Sequence, residues 1–275
     1  MQPHEIDAQE MRLVLDAIVG RYGYDFRDYS QDSVRRRLSA AMARTQTAHL
    51  GELMHRLLWD ASYFSVVLSC LTVKVTEMFR DPAFMQEFRE KIVPILRTYP
   101  RIRLWHAGCA SGEEVYAMAI LLEEAGLYAR SQLYGTDIDI TAIESAKEGV
   151  YSLTHAKSFE QNYVRSGGTE DFWGYFTSGY GKVSVTESLR RHVSFFQHDL
   201  VTDFCLGEMQ VIFCRNVALY FNADLRTRVF SMFAQGLCGG GFLCLGASET
   251  LSQDMLQTFE EYSPQHRIYR LRGPQ

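Results

Sequence analysis

Ser111-Gly-Glu-Glu114 sets two adjacent carboxylates behind a run of small residues, Ala107, Gly108, Ala110 and Ser111. The run ends a short apolar stretch, Leu104-Trp105, and opens a pattern in which Val115, Met118, Ala119 and Leu122 recur at helix-face spacing. This reads as strand, tight turn and helix, the arrangement that places a ligand beyond the carboxyl end of a strand in a nucleotide-type sheet. Glycine there lets the chain turn sharply and lets a ligand lie against the backbone. The first turn of a helix favours anions, so two carboxylates at that point disfavour a phosphate. They suit a ligand with an amine and no phosphate, as in S-adenosylmethionine. Both glutamates also fit a simpler role, as charges favoured by the positive helix end.

Other polar groups sit at predicted strand ends. Gly135-Thr-Asp137-Ile-Asp139 closes the second strand of the alternating region. A carboxylate there is placed to hold ribose hydroxyls; Asp137 is the choice, being nearer the strand end, with Asp139 able instead to cap the next helix. His198-Asp199-Leu200 follows another strand, with Asp199 able to accept from an adenine amine, Leu200 able to lie on the ring, and a turn cap as the alternative. The buried strand Val211–Cys214 runs into Arg215-Asn216, and Tyr220 follows closely enough to reach the same cleft or to serve as an amphipathic core residue. Lys74-Val-Thr76-Glu-Met-Phe-Arg80 links two regions of different pattern; Thr76 and Arg80 share a side if this turn is helical.

The elements that must position these groups fall into two sets. Residues 5–96 read as nearly all helix, with segments at 33–44, 50–58 and 62–71 and a Pro-initiated helix from Asp81-Pro82 to about Leu96. The second helix carries Arg35, Arg36, Arg37 and Arg44, read as a solvated or steering basic face. From 102 onward strands at 102–106, 131–136, 193–197, 211–214, 241–245 and near 267–272 alternate with helices at 112–125, 141–148 and 223–235. That alternation implies a mostly parallel sheet covered on both faces. Residues 150–200 interrupt it with what reads as a small antiparallel hairpin around Gly179 and Gly181.

Composition narrows the class further. The 275 residues are 47% hydrophobic and 22% charged, as in ordinary globular chains. A net charge of -5 argues against a general nucleic-acid binder. The polar, acidic first ten residues do not read as a secretory signal, and no apolar run is long enough to insert in a membrane. The six cysteines show no CxxC pair, so no metal site is expected and a cytoplasmic location is.

In this order, Thr76-Glu-Met-Phe-Arg80, Trp105 to Ala119 with its Ser-Gly-Glu-Glu core, Gly135 to Asp139, Asp199-Leu200 and Phe213-Cys-Arg-Asn-Val-Ala-Leu-Tyr-Phe221 resemble the CheR-type chemoreceptor glutamate methyltransferases of bacterial chemotaxis. The resemblance spans nearly the whole chain. It implies an α/β fold: a Rossmann-like methyltransferase domain with a mostly parallel sheet and a small antiparallel β insertion, preceded by an all-α domain. Residues 1–80 would form the helical domain and linker, and 81–275 the methyltransferase domain, with the insertion at about 165–190. It also implies S-adenosylmethionine as cofactor, S-adenosylhomocysteine as product, and glutamates on the cytoplasmic helices of methyl-accepting chemoreceptors as substrate. The cofactor would be held by Lys74, Thr76, Arg80, Glu114, Asp137, Asp199, Leu200, Asn216 and Val217. Lys74 stands where Asn is frequent in the family, and Asp199 likewise. Arg80 would hold the substrate carboxylate and Tyr220 would help place the methyl group. A receptor tail peptide adding to the inserted hairpin is a further implied partner, and a monomer is expected. The competing readings are a methyltransferase for another protein or small-molecule acceptor and a non-catalytic cofactor-sensing adaptor.

Overall fold

The computed structural model describes residues 7–72 and 76–273. Its contacts divide the chain into two compact units. One takes the described residues through Thr72 together with 201–203 and 219–229; the other takes the remainder, including 76–80.

The first unit is built on α1 (Ala8–Tyr22), α2 (Gln31–Thr45), α3 (Leu50–Trp59) and α4 (Ala61–Leu71). Each helix buries one stripe, as a 3.6-residue period dictates: Met11, Val14, Leu15 and Ile18 on α1, Leu50, Leu53 and Leu57 on α3. Asp7 and Asp60 accept the amides of Gln9 and Ser62 and so begin α1 and α4. The second helix is not a uniformly solvated basic face. Arg37 is buried: its Nε donates to Ser33 Oγ at 3.0 Å, its Nη1 to the Leu71 carbonyl at 2.9 Å, and its guanidinium lies 4.3 Å from the centre of the Tyr220 ring. Arg36 is exposed and Arg35 half-buried.

The second unit begins with α5 (Pro82–Glu87), continues through a π-helical turn (Phe88–Ile92) and closes with α6 (Val93–Leu96). Pro94 has no amide to donate inside this run, and the wider turn before it is where Val93 N–H reaches back to the Phe88 carbonyl. Then come β1 (Ile102–Ala107), α7 (Glu113–Glu124), β2 (Ser131–Asp137), α8 (Ile140–Glu148), β3 (Val150–Ser152), α9 (Leu153–Arg165), β4 (Phe176–Gly179), β5 (Lys182–Val185), α10 (Glu187–Arg190), β6 (Val193–Gln197), β7 (Met209–Cys214), α11 (Ala223–Gly236), β8 (Leu237–Leu245), α12 (Met255–Thr258), β9 (Phe259–Ser263) and β10 (Ile268–Leu271).

Among the described residues, seven strands form one sheet in the order β6-β2-β1-β7-β8-β10-β9. The first five run parallel; β10 and β9 return antiparallel at one edge. Strand β7 is buried throughout and β1 at all but Arg103, the pattern of a sheet covered on both sides. Chain order reverses at β1, which pairs with β2 on one side and β7 on the other. A crevice at such a switch point is where ligands bind in open α/β sheets.

Two features depart from the expected pattern. Residues 150–200 hold more than a hairpin: α9 buries Ala156, Phe159 and Tyr163 on one face, and β3 adds a third strand, so the small sheet draws on residues before 165. Strand β9 carries Glu260 and Glu261 and was not anticipated; charge on an edge strand hides the alternation while protecting the edge.

Candidate functional site

The turn leaving β1 is shaped by three left-handed residues, Gly108 (φ 76), Ala110 (φ 48) and Gly112 (φ 87). Its amides are turned inward. Gly108 N and Cys109 N both donate to the Thr136 carbonyl at 2.8 Å, Ala110 N to Asp137 Oδ2 at 2.9 Å and Gly112 N to the Cys109 carbonyl at 3.0 Å. Four donors that could cradle a pyrophosphate, the amides of Gly108, Cys109, Ala110 and Gly112, are therefore spent within the protein. Trp105 Nε1, donating to Thr136 Oγ1 at 2.9 Å, fixes β1 against β2 just below the turn.

Asp137 and Asp139 have separate duties. Asp139 caps α8, accepting from Thr141 N and Thr141 Oγ1 through one oxygen. Asp137 is half-buried at the end of β2 and accepts the Ala110 and Asp139 amides, which aims its carboxylate along the turn.

Of the two glutamates, Glu113 is buried and Glu114 is ion-paired. Glu113 Oε1 accepts from Ser111 Oγ at 3.0 Å, and its Oε2 is buried with no hydrogen-bond partner. Burial pushes this carboxyl up to about 7, against its backbone amide and Ser111 bonds. Burial acts the same way on Glu114 but is outweighed by the Arg215 guanidinium and by His106, and the carboxyl is held down to about 2. Arg215 Nη1 lies 2.8 Å from Glu114 Oε2, and His106 Nδ1 3.0 Å from Oε1. Glu114 is thus a fixed negative charge at neutral pH.

The end of β7 meets the turn directly. A β-carbon at Gly108 would stand 2.3 Å from Val217 Cγ2. Asn216 is left-handed (φ 63), half-buried, and its Oδ1 is buried with no hydrogen-bond partner. The backbone here is held by Glu249, which the sequence reading missed. That carboxylate, 3% exposed, accepts from Asn216 N at 2.8 Å, Val217 N at 2.9 Å and Gly246 N at 2.6 Å. Its only sequence signal was an acid four residues past a buried strand.

The remaining candidates lie on other segments of the chain. Asp199 and Leu200 are half-buried beyond β6, and His198 N donates to the Asp137 carbonyl at 3.1 Å, tying that strand end to the end of β2. Thr76 and Arg80 are half-buried, but the segment between them is not helical: Phe79 is left-handed (φ 53), so the four-residue spacing does not put them on one face. Lys74 lies outside the described residues. Tyr220 belongs to the helical unit, where its carbonyl accepts Ser30 N at 2.8 Å.

The donor set fits a cationic nucleoside without phosphate: inward-turned amides, a carboxylate at the end of β2, a charged Glu114 and an orphaned amide oxygen at Asn216. Among the described residues no His/Cys/Asp/Glu cluster could hold a metal, and no helix is long and apolar enough to cross a membrane.

Comparison with known proteins gives the same answer independently. Residues 74–268 match the family model described as CheR methyltransferase, SAM binding domain, and residues 9–72 match CheR methyltransferase, all-alpha domain. The chain is 43% identical to "Putative methyltransferase Cher3" of Pseudomonas putida, over 95% of this chain and 96% of that protein. It is 29% identical to "Chemotaxis protein methyltransferase Cher2" of the same species, over 92% of this chain and 93% of that protein. Against a "Chemotaxis protein methyltransferase" of Listeria innocua it is 27% identical, over 89% and 92%.

Proposed function

Since the chain belongs to the CheR methyltransferase family and carries its S-adenosylmethionine-binding domain, we propose that it methylates glutamate side chains on the cytoplasmic helices of chemoreceptors, giving methyl esters. The observation that carries this reading is the loop at 107–112, four of whose amides are spent within the protein and which is bordered by the carboxylates of Asp137 and Glu114: it disfavours phosphate and suits a cation. Bound there, S-adenosylmethionine supplies a methyl group on a positively charged sulfur. Glu114, Asp137, Asn216 and Val217 hold it from the start of α7 and the ends of β2 and β7; Asp199 and Leu200 serve the adenine, with Lys74, Thr76 and Arg80 completing the pocket.

The acceptor needs no base. A glutamate carboxyl has a pKa of about 4.3 and is already an anion at neutral pH. No residue of this chain is required to move a proton. The chain's work is alignment and exclusion of water, which can supply roughly 7–11 kcal/mol in well-oriented systems. Arg80 holds the acceptor carboxylate through its guanidinium fork, and Tyr220 helps place the methyl group. The protein acts in the cytoplasm, as a monomer, where receptor methylation helices are accessible, and a receptor tail peptide adds to the edge of the small sheet.

The test is labelled methyl transfer onto chemoreceptor-bearing membranes, with base-lability of the label as the signature of an ester. Arg80→Ala should abolish transfer at saturating cofactor. Wild-type turnover in that variant would remove Arg80 from the mechanism, and base-stable label would favour a different acceptor.

A further inference from the structure

Arg215 leaves the end of β7 as a polar group to which the sequence reading gives no role. Its guanidinium is buried and holds two carboxylates through its Nη atoms, while its Nε is buried without a hydrogen-bond partner. Nη1 lies 2.8 Å from Glu114 Oε2, Nη2 lies 2.6 Å from Asp81 Oδ2, and the plane stacks 4.0 Å from the centre of the Phe84 ring. The two acids come from different parts of the site. Glu114 stands in the first turn of α7; Asp81 stands in the corner that carries Arg80. Behind Glu114, the His106 ring lies flat on Phe213 at 4.3 Å. A continuous line of polar contacts therefore runs from His106 on β1 through Glu114 and Arg215 to Asp81.

That corner is a strained piece of backbone. Phe79 and Asp81, flanking Arg80, both adopt left-handed conformations (φ 53 and 54), which non-glycine residues keep only where the surroundings impose them. On one side the surroundings are clear: the Phe79 ring is fully buried, edge-on to Tyr163 at 5.2 Å. On the other side Asp81 precedes α5 yet does not cap it with its side chain; the carboxylate goes to Arg215 instead. Arg80 is held between these two anchors.

We propose that Arg215 is a positioning residue: its guanidinium ties the Glu114 carboxylate, assigned above to the cofactor pocket, to the Arg80 corner, so that pocket and acceptor arginine keep one relative arrangement. The parts concerning Arg80 and the cofactor role of Glu114 rest on the function proposed above; the tie between Glu114 and Asp81 does not. A planar fork can serve two carboxylates at fixed angles, whereas an ammonium is a point charge on a flexible stem. Lysine therefore keeps the charge and loses the tie.

The test uses the full chain in four forms: wild type, Arg215→Lys, Asp81→Asn and the double variant. Three quantities are read: affinity for S-adenosylhomocysteine by calorimetry, amide hydrogen exchange over residues 78–85, and kcat and KM for methyl transfer. Asp81→Asn should speed exchange at the corner and lower kcat about tenfold while leaving S-adenosylhomocysteine affinity within about twofold. Arg215→Lys should speed the same exchange and also weaken S-adenosylhomocysteine about tenfold. The double variant should exchange no faster than Arg215→Lys, because both changes cut one tie. Wild-type exchange and affinity in Arg215→Lys, or fully additive effects in the double variant, would overturn the proposal. If Arg215→Lys does not fold, Asp81→Asn decides alone: unchanged corner exchange and kcat refute the tie. A wild-type chain that binds S-adenosylhomocysteine but methylates no receptor glutamate would remove the proposed acceptor, while exchange and affinity still decide the role of Arg215.

Discussion

Gly108 and Val217 approach so closely that no side chain fits between them: a β-carbon on the glycine would stand 2.3 Å from Val217 Cγ2. They lie just beyond β1 and β7, adjacent parallel strands, at the point where the sheet order reverses. Gly108→Ala must accept both this overlap and a left-handed φ of 76. A loss of about 1–3 kcal/mol in urea unfolding and a measurable drop in S-adenosylhomocysteine affinity are expected. Adding Val217→Ala should recover part of the stability by removing the overlap, with the remainder lost to backbone strain.

Glu113 makes stability depend on pH in an unusual direction. Its carboxyl titrates near 7 in the folded chain and near 4.3 when unfolded, so the folded state binds the extra proton between those values. The stabilisation is complete below the unfolded value and is lost as pH rises through 7. Unfolding free energy should therefore decline by roughly 3 kcal/mol between pH 4 and pH 8 from this group alone. Glu113→Gln keeps an acceptor for Ser111 and removes the titration. Urea curves for this variant should show a smaller decline over that range, and an identical decline would mean that Glu113 is not its source.

Asp137 and Asp139 should separate cleanly under mutation. Asp139→Ala removes the cap of α8 and should cost about 1 kcal/mol of stability with little effect on cofactor binding. Asp137→Ala strips the carboxylate from the turn and should weaken S-adenosylhomocysteine about tenfold or more. Calorimetry paired with thermal melts on both variants checks the division; equal losses of affinity would contradict it.

Arg37 and its neighbour Arg36 should likewise part company. Arg37→Ala gives up two hydrogen bonds and the stack on Tyr220 and should destabilise the helical unit by about 2–3 kcal/mol. Arg36→Ala, at an exposed position, should leave unfolding within about 0.5 kcal/mol. Electrostatic steering toward acidic receptor helices is therefore to be sought in Arg36→Glu at low salt, with receptor methylation rate as the readout. An unchanged rate there would count against steering by this helix.

The sequence alone carried the alternation of strand and helix from 102 onward, the helical stripes before it, and the turn with its carboxylates. These are local signals: side-chain period, glycine at the turn, and acid at a strand end each declare themselves within a few residues. It also offered, as one alternative, the capping role that the structure gives Asp139. What it could not carry were relations between distant segments. Glu113 and Glu114 are identical neighbours in the chain, yet one is buried with an orphaned oxygen and the other is paired with Arg215, one hundred and one residues away. Arg37 looks like its exposed neighbour until Leu71 and Tyr220 close around it. Glu249 becomes visible only when β7 and β8 lie side by side and bring three amides to one carboxylate. Charge and hydrogen bonding act over a few ångströms of space, and only the folded chain sets which residues share that space.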